Sequence, residues 1–195
     1  MFTGIVEAIG QVSELKKEGT NLHIRVESPI SNALKVDQSV SHDGVCLTVT
    51  KVENNAHWVT AIEETIQKTN FSTLSLQKRF NLERCMLNNG RFDGHIVQGH
   101  VDQTGIVTRI EDKNGSWLFH VEYDPSYDNI TVEKGSVCLN GVSLTCFNSK
   151  PAAFSVAIIP YTFDNTNFHQ LRQGDVVNLE FDIIGKYVKR LLGKS

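Results

Sequence analysis

Apolar residues along this chain recur at every second position in short runs, not every third or fourth. Residues 22–27, 45–52, 57–62, 117–123, 137–147 and 154–159 are rich in Val, Ile, Thr and Phe, and Gly, Asn and Asp separate them. A period of two marks strands with one buried face, and Asn54-Asn55 and Asn114-Gly115 suit the hairpin turns between them. About six such strands in about 95 residues predict a small closed antiparallel barrel, because an open sheet of that size would leave its edges unpaired. Two stretches, 65–74 and 162–171, each hold a helical turn with Thr and Asn as cap residues. Near the end, Ile184, Val188 and Leu192 fall at i, i+4 and i+8 with Tyr187 and Leu191 beside them. That stripe predicts a C-terminal amphipathic helix with an apolar face to bury, and a neighbouring subunit is a natural place for it.

The pattern occurs twice. GVCLTVT at 44–50 returns as GVSLTCF at 141–147, an offset of 97 positions. At the same offset ETIQKTNFSTL (64–74) aligns with YTFDNTNFHQL (161–171), and Asn81-Leu82-Glu83 with Asn178-Leu179-Glu180. TGIV at 3–6 returns at 104–107 with a slightly longer offset. Three collinear blocks at one offset indicate duplication of a small domain, with too few copies for a solenoid. The expected organisation is two similar six-stranded antiparallel Greek-key barrels, 1–97 and 98–185, followed by the helix at 186–195.

Composition narrows the function classes. The 195 residues are 40% hydrophobic and 21% charged with a net charge of −3, ordinary for a globular protein. No lysine- or arginine-rich face is available for nucleic acid. The longest apolar run, AFSVAIIPY, is too short to span a membrane, and MFTGIVEAIG lacks the basic and apolar regions of a signal peptide. Four cysteines without a CxxC pair, three of them in apolar or alternating segments, read as reduced thiols in a cytoplasmic protein. His95, His100 and a cysteine have no metal-ligand spacing, so no metal or cofactor is expected.

Candidate chemistry lies on the doubled strand. Cys46, Thr48 and Thr50 share one face and Val45, Leu47 and Val49 the other; Ser143 and Thr145 repeat the polar face in the second copy. A half-exposed strand with threonine chosen for β propensity explains this pattern locally, but recurrence of the same small polar pair favours a ligand-facing wall. Cys46 is either a nucleophilic thiol or a small buried residue. His100, in the glycine-punctuated stretch FDGHIVQGHVD (92–102), is the favoured base; His95 ranks below it as a linker brace.

Five motifs together, MFTGIV, GVCLTVT, GHIVQGHVD, KGSVCLNGVSLT and NLEFDIIGKYVKRLL, resemble those of the two-barrel riboflavin synthases over essentially the whole chain. The resemblance implies a homotrimer whose active sites lie between the N-terminal barrel of one subunit and the C-terminal barrel of the next. The implied reaction is dismutation of two 6,7-dimethyl-8-ribityllumazine molecules, bound two per site, to riboflavin and 5-amino-6-ribitylamino-2,4(1H,3H)-pyrimidinedione, without cofactor. It leaves open whether a lumazine synthase shell surrounds the trimer and which barrel holds the donor.

Carried over by position, the N-barrel pocket comprises Gly4, Ile5, Val6, Ser39, Cys46, Leu47 and Thr48, with the segment Thr60, Ala61, Ile62, Glu63, Glu64 and Thr65. Gly99, His100 and Val101 match the family's GHV. The C-barrel pocket comprises Lys134, Ser143, Leu144 and Thr145, with Ala157, Ile158, Ile159, Pro160, Tyr161 and Thr162, and Asp182 close by. The implied roles put Cys46, or a water beside it, at C7 of the acceptor. His100 and Ser143 move protons at the donor methyl, while Phe2 and Thr145 shape the contact between the rings. Two positions depart from the family pattern: Asp43, usually Asn, and Asp93, usually Gly. The alternatives are a non-catalytic lumazine- or flavin-binding fluorescent protein of the same fold, a thiol hydrolase using Cys46 and His100, and the flavin barrel of a reductase.

Overall fold

A computed structural model describes residues 1–193; positions 194 and 195, the last two of the expected helical segment 186–195, lie outside the described residues. The chain forms two closed antiparallel barrels of six strands each. In the first, β1 (Ala8–Glu18), β2 (Asn21–Glu27), β3 (Ser39–His42), β4 (Val45–Glu53), β5 (Ala56–Ala61) and β6 (Arg79–Arg84) are ordered β1-β2-β5-β4-β3-β6. The second comprises β7 (Gln103–Asp112), β8 (Trp117–Tyr123), β9 (Ser136–Leu139), β10 (Val142–Lys150), β11 (Ala153–Ile158) and β12 (Val176–Phe181). Short helices α1 (Glu63–Lys68) and α2 (Pro160–Asn165) follow β5 and β11, and α3 (Ile183–Leu191) closes the described chain. No helix among the described residues is long and apolar enough to cross a membrane.

The expected barrels, strand count and terminal helix are all present, with local differences. The run 137–147 is two strands, because Asn140 and Gly141 both adopt positive φ (47° and 78°) and form the turn between β9 and β10. Five further strands, β1, β3, β6, β7 and β12, lie outside the runs named above, and polar ends mask the alternation of β1 and β7. Helix α3 starts at Ile183, and Asp182 caps it by accepting a hydrogen bond from the Ile184 N–H at 3.0 Å.

Each barrel is filled by its own alternating side chains, as a six-stranded barrel must be. Ile24, Val40, Val59, Phe80 and Leu82 are fully buried in one; Val121, Val137, Val156, Phe168 and Leu179 are fully buried in the other. Val45, Leu47 and Val49 face this core, so the other face of β4 is the one turned outward.

The first core also holds a polar chain. His42 Nδ1–H donates to the Val40 carbonyl at 3.1 Å, so its Nε2 accepts from His57 Nε2–H at 2.9 Å, and His57 Nδ1 accepts from the Ser31 hydroxyl at 2.8 Å. That arrangement needs both rings neutral, and burial pushes His42 well below the usual range and His57 down to about 4.

The barrels are joined by side-chain amides. Asn70 N–H donates to Asn178 Oδ1 at 2.7 Å, and Asn178 Nδ2 returns a bond to Asn70 Oδ1 at 3.0 Å. The duplicated pair repeats this: Asn167 N–H to Asn81 Oδ1 at 2.7 Å, and Asn81 Nδ2 to Asn167 Oδ1 at 3.0 Å. Gly44 and Gly141 meet across the same pseudo-twofold axis, where a Cβ on Gly44 would stand 2.9 Å from the Gly141 nitrogen.

Asp43 lies in this junction with no exposure. Its Oδ1 accepts from Asn81 N–H at 2.8 Å and Asn167 Nδ2 at 2.9 Å, yet burial outweighs these bonds and raises its pKa to about 7. A carboxyl whose folded pKa exceeds its unfolded one stabilises the fold fully only below about pH 4, and that contribution is lost as pH rises through about 7. Asp43→Asn is therefore expected to melt at a higher temperature than the parent at pH 8. The advantage should shrink by about 2–3 kcal/mol on going to pH 5, as read from denaturant unfolding at both pH values.

Candidate functional site

Two crossing segments build the outward faces of β4 and β10. The N-terminal segment is held by Glu83: its Oε1 accepts from Thr3 N–H at 2.7 Å and Thr3 Oγ1–H at 2.8 Å, and its Oε2 from Gly4 N–H at 2.9 Å. The linker is held in the same way by Glu180, which accepts from the N–H groups of Gln98 (2.6 Å), Gly99 (2.9 Å) and His100 (3.0 Å). Burial raises both carboxyls, Glu180 to about 7.

Each held segment then reaches the opposite barrel. Gly4 C=O accepts from Ser143 N–H at 2.8 Å, and Gly99 C=O accepts from Cys46 N–H at 2.8 Å. Phe2 and Val97 close the pair as an antiparallel bridge, with Phe2 N–H to Val97 C=O at 2.7 Å. Glycine is required at both crossings. Gly4 and Gly99 have φ of 77° and 80°, and a Cβ would lie 2.6 Å from Ser143 Cβ and 2.5 Å from Cys46 Cβ.

A cavity of about 410 Å³ opens on the second barrel, lined by Lys134, Ser143, Leu144, Thr145, Phe147, Ala157, Ile159 and Thr162. Every lining residue belongs to that barrel. Seven of the eight are expected pocket positions; Phe147 was missed, although it follows Ser143 and Thr145 on the same face of β10. Lys134 Nζ lies 5.4 Å from the Phe147 ring centroid.

The imidazole that meets this wall is His95. Its Nδ1 is 2.6 Å from Ser143 Oγ, and its buried Nε2 has no hydrogen-bond partner among the described residues. Burial pushes His95 below the usual histidine range, with the Asp182 charge opposing. His100 is held through its backbone and its residue is exposed. Of the two histidines weighed in the sequence, it is therefore His95 that the fold brings to Ser143.

On the first barrel, Cys46 is partly buried, and its thiol is raised by burial, with a hydrogen bond from Ser39 pulling the other way. At neutral pH it is a thiol, not a thiolate. Ser39 pairs with Thr48 across β3 and β4, and Thr60 lies on β5. Leu47, Ala61 and Ile158 are buried with the cores, leaving only their backbones for a ligand. Phe2 is fully buried against Val97 and Cys138, with Cys46 packed beside them, so it acts as a plug between the crossings. Gly4 and Gly99 are buried crossing residues; Val6, Val101 and Asp182 are half-buried, and Ile5 is exposed. Ile62, Glu63, Glu64, Pro160 and Tyr161 are exposed at the starts of α1 and α2, where Thr65 is half-buried.

The lumazine binding domain family matches at residues 3–85 and again at 98–182, one match for each barrel. A riboflavin synthase of Bacillus subtilis is 39% identical over all of this chain and 91% of its own length. Others from Actinobacillus pleuropneumoniae (36%, with 100% of this chain and 91% of that protein covered) and Mycobacterium tuberculosis (38%, with 98% of each covered) are similar over comparable spans. Among solved structures, LumP complexed with riboflavin superposes with a TM-score of 0.85 over 93% of this chain and 99% of that one, at 20% identity. LumP complexed with 6,7-dimethyl-8-(1'-D-ribityl) lumazine gives 0.83 at 19% identity, over the same shares of the two chains.

The crossing geometry sets a test. Gly99→Ala should destabilise the chain by at least about 2 kcal/mol, through backbone strain and displacement of the β4 crossing. Among the described residues a Cβ on Gly185 would meet nothing within 4 Å, and its φ is ordinary, so Gly185→Ala should leave stability unchanged or raise it slightly. Urea unfolding midpoints of the two variants check the contrast.

Proposed function

This chain belongs to the riboflavin synthase family, and we propose that it converts two molecules of 6,7-dimethyl-8-ribityllumazine into riboflavin and 5-amino-6-ribitylamino-2,4(1H,3H)-pyrimidinedione. The observation that carries this reading is the pair of equivalent walls, one bearing Cys46 and the other Ser143, each capped by a glycine from the opposite half. Two identical reactants call for two copies of one site. Holding both in reacting geometry is worth up to about 7–11 kcal/mol of barrier. A four-carbon unit passes from one lumazine to the other, so one molecule's loss is the other's gain and no outside oxidant or reductant enters.

The Ser143–His95 pair supports proton handling at the C7 methyl of the molecule on the second barrel, the donor. A neutral, buried imidazole can accept a proton through the serine hydroxyl, an effect typically worth about 10²–10⁴-fold. Cys46 supports a second role: as a neutral thiol it hydrogen-bonds a water or the ligand at C7 of the acceptor on the first barrel. Thr145 and Lys134 line the donor side. His100 is exposed, which suits contact with the neighbouring subunit's ligand.

The cavity is open and lined by one barrel only, which fits a site completed by a second chain. The exposed stripe Ile184, Tyr187, Val188, Leu191 and Leu192 on α3 offers an apolar face for such assembly. A closed ring of three chains gives every first barrel a second barrel from its neighbour.

Purified protein given 6,7-dimethyl-8-ribityllumazine alone should form riboflavin, followed by its fluorescence, at one riboflavin per two lumazines. Binding without riboflavin would instead mark a non-catalytic relative. Cys46→Ser should keep turnover within about tenfold of the parent, while Ser143→Ala should lose about 10²–10⁴-fold. Thr48→Trp and Thr145→Trp, which fill one pocket each, should be inactive alone. After subunit exchange their mixture should regain about a quarter of parental activity; a mixture that stays inactive places the complete site within one chain.

A further inference from the structure

Beside the Cys46/Ser143 difference, the two ligand walls differ at Thr60 and Ala157, and that difference reaches into a side-chain relay outside the pocket proper. On the first barrel, Ser39 is paired with Thr48, and the Val49–Val59 pairing brings Thr48 level with Thr60. Thr60 in turn is paired with His23 of β2. The result is a polar row across β3, β4, β5 and β2, at the usual strand spacing of about 4.8 Å. The duplicated row on the second barrel runs Ser136, Thr145, Ala157 and Leu118. Its first two members keep their hydroxyls, but the third has none and the fourth is apolar.

The relay fixes what Thr60 presents. His23 Nδ1 is 2.9 Å from Thr60 Oγ1, and His23 Nε2 is 2.9 Å from Glu18 Oε2. An ionised carboxylate only accepts, so the histidine proton belongs on Nε2. In the neutral ring Nδ1 then carries a lone pair and accepts the Thr60 hydroxyl proton. Thr60 Oγ1 is left facing outward as an acceptor, which matches a donor such as a sugar-alcohol hydroxyl and not a carbonyl. Ala157, the equivalent position, lines the cavity of the second barrel, which places Thr60 on the corresponding wall of the first.

We propose that Thr60, oriented by His23 and Glu18, accepts a hydrogen bond from a hydroxyl of the ligand's ribityl chain in the first-barrel pocket alone, so that two pockets descended from one bind the same ligand unequally. Thr60 is the contacting group and His23 a positioning residue. This inference rests on the lumazine-binding reading of the first barrel and adds the contact that separates its specificity from that of the second.

The test uses riboflavin, which does not turn over, and lumiflavin, which keeps the ring system but lacks the ribityl chain, with binding at pH 8 read by fluorescence quenching. Thr60→Val should weaken riboflavin at one of two sites per chain about tenfold, the size of one lost hydrogen bond, and leave lumiflavin unchanged. Thr60→Ser should restore riboflavin binding. His23→Phe should cost about threefold, and adding it to Thr60→Val should cost nothing more. Equal losses for both ligands, an unchanged riboflavin affinity, or additive losses in the double variant would overturn the proposal. Failure of the parent protein to bind either flavin or to form riboflavin would instead count against the family function, so the two failures read differently.

Discussion

The reciprocal amide clasp between the barrels governs the rest of the structure. Asn70 with Asn178, and Asn81 with Asn167, pair backbone and side-chain groups that are buried and would otherwise go unsatisfied. Because each asparagine bonds to the other half's partner, neither barrel can shift alone without breaking bonds in both. The clasp fixes the turn residues Gly44 and Gly141 in contact. From those turns β4 and β10 depart in equivalent directions, carrying Cys46 and Ser143 to equivalent outward positions.

The same short block does three jobs. In Asn81-Leu82-Glu83 and Asn178-Leu179-Glu180 the asparagine joins the clasp, the leucine fills a core, and the glutamate holds a crossing segment. Those segments are exchanged: the one held by the first barrel caps Ser143, and the one held by the second caps Cys46. Burying Glu83 and Glu180 carries a desolvation cost, offset by three backbone or hydroxyl donors each. Pocket geometry and barrel association are therefore one constraint, and substitution at either glutamate or asparagine would be felt at the ligand walls.

The architecture was legible in the sequence because its causes are local and repeated. Alternation of Val, Ile and Thr gave the barrels, the 97-residue offset gave two of them, and the heptad-like stripe gave the terminal helix. The division of residues 137–147 was not, since Asn140-Gly141 interrupts a run whose apolar content is otherwise continuous. The roles of Asn70, Asn81, Asn167 and Asn178 were hidden for a different reason: an amide that bonds across a domain junction looks in sequence like a cap or turn residue. The contact of His95 with Ser143 was hidden because it spans 48 positions, a separation no spacing rule addresses. Thr60 was recognised as a wall residue, but its link to His23 and Glu18 needs the register of β2 against β5.

Duplication alone would give two equal sites, whereas a reaction between two identical molecules needs unequal ones. The first core departs from symmetry where His42 and His57 stand against Leu139 and Phe154, and the outward faces depart at Cys46 against Ser143 and at Thr60 with His23 against Ala157 with Leu118. The junction itself keeps its amide symmetry, except at Asp43, where Asn140 stands opposite. Asn140 Nδ2 has no partner among the described residues, and the Asp43 carboxyl is pushed up by burial despite two short bonds. The second polar atom is thus held only weakly in the first half, where Asn70 Nδ2 donates to Asp43 Oδ2 at 3.5 Å, and has no partner among the described residues in the second. Divergence at the walls changes chemistry without disturbing the clasp, and the single divergence inside the clasp changes only the pH at which it holds best.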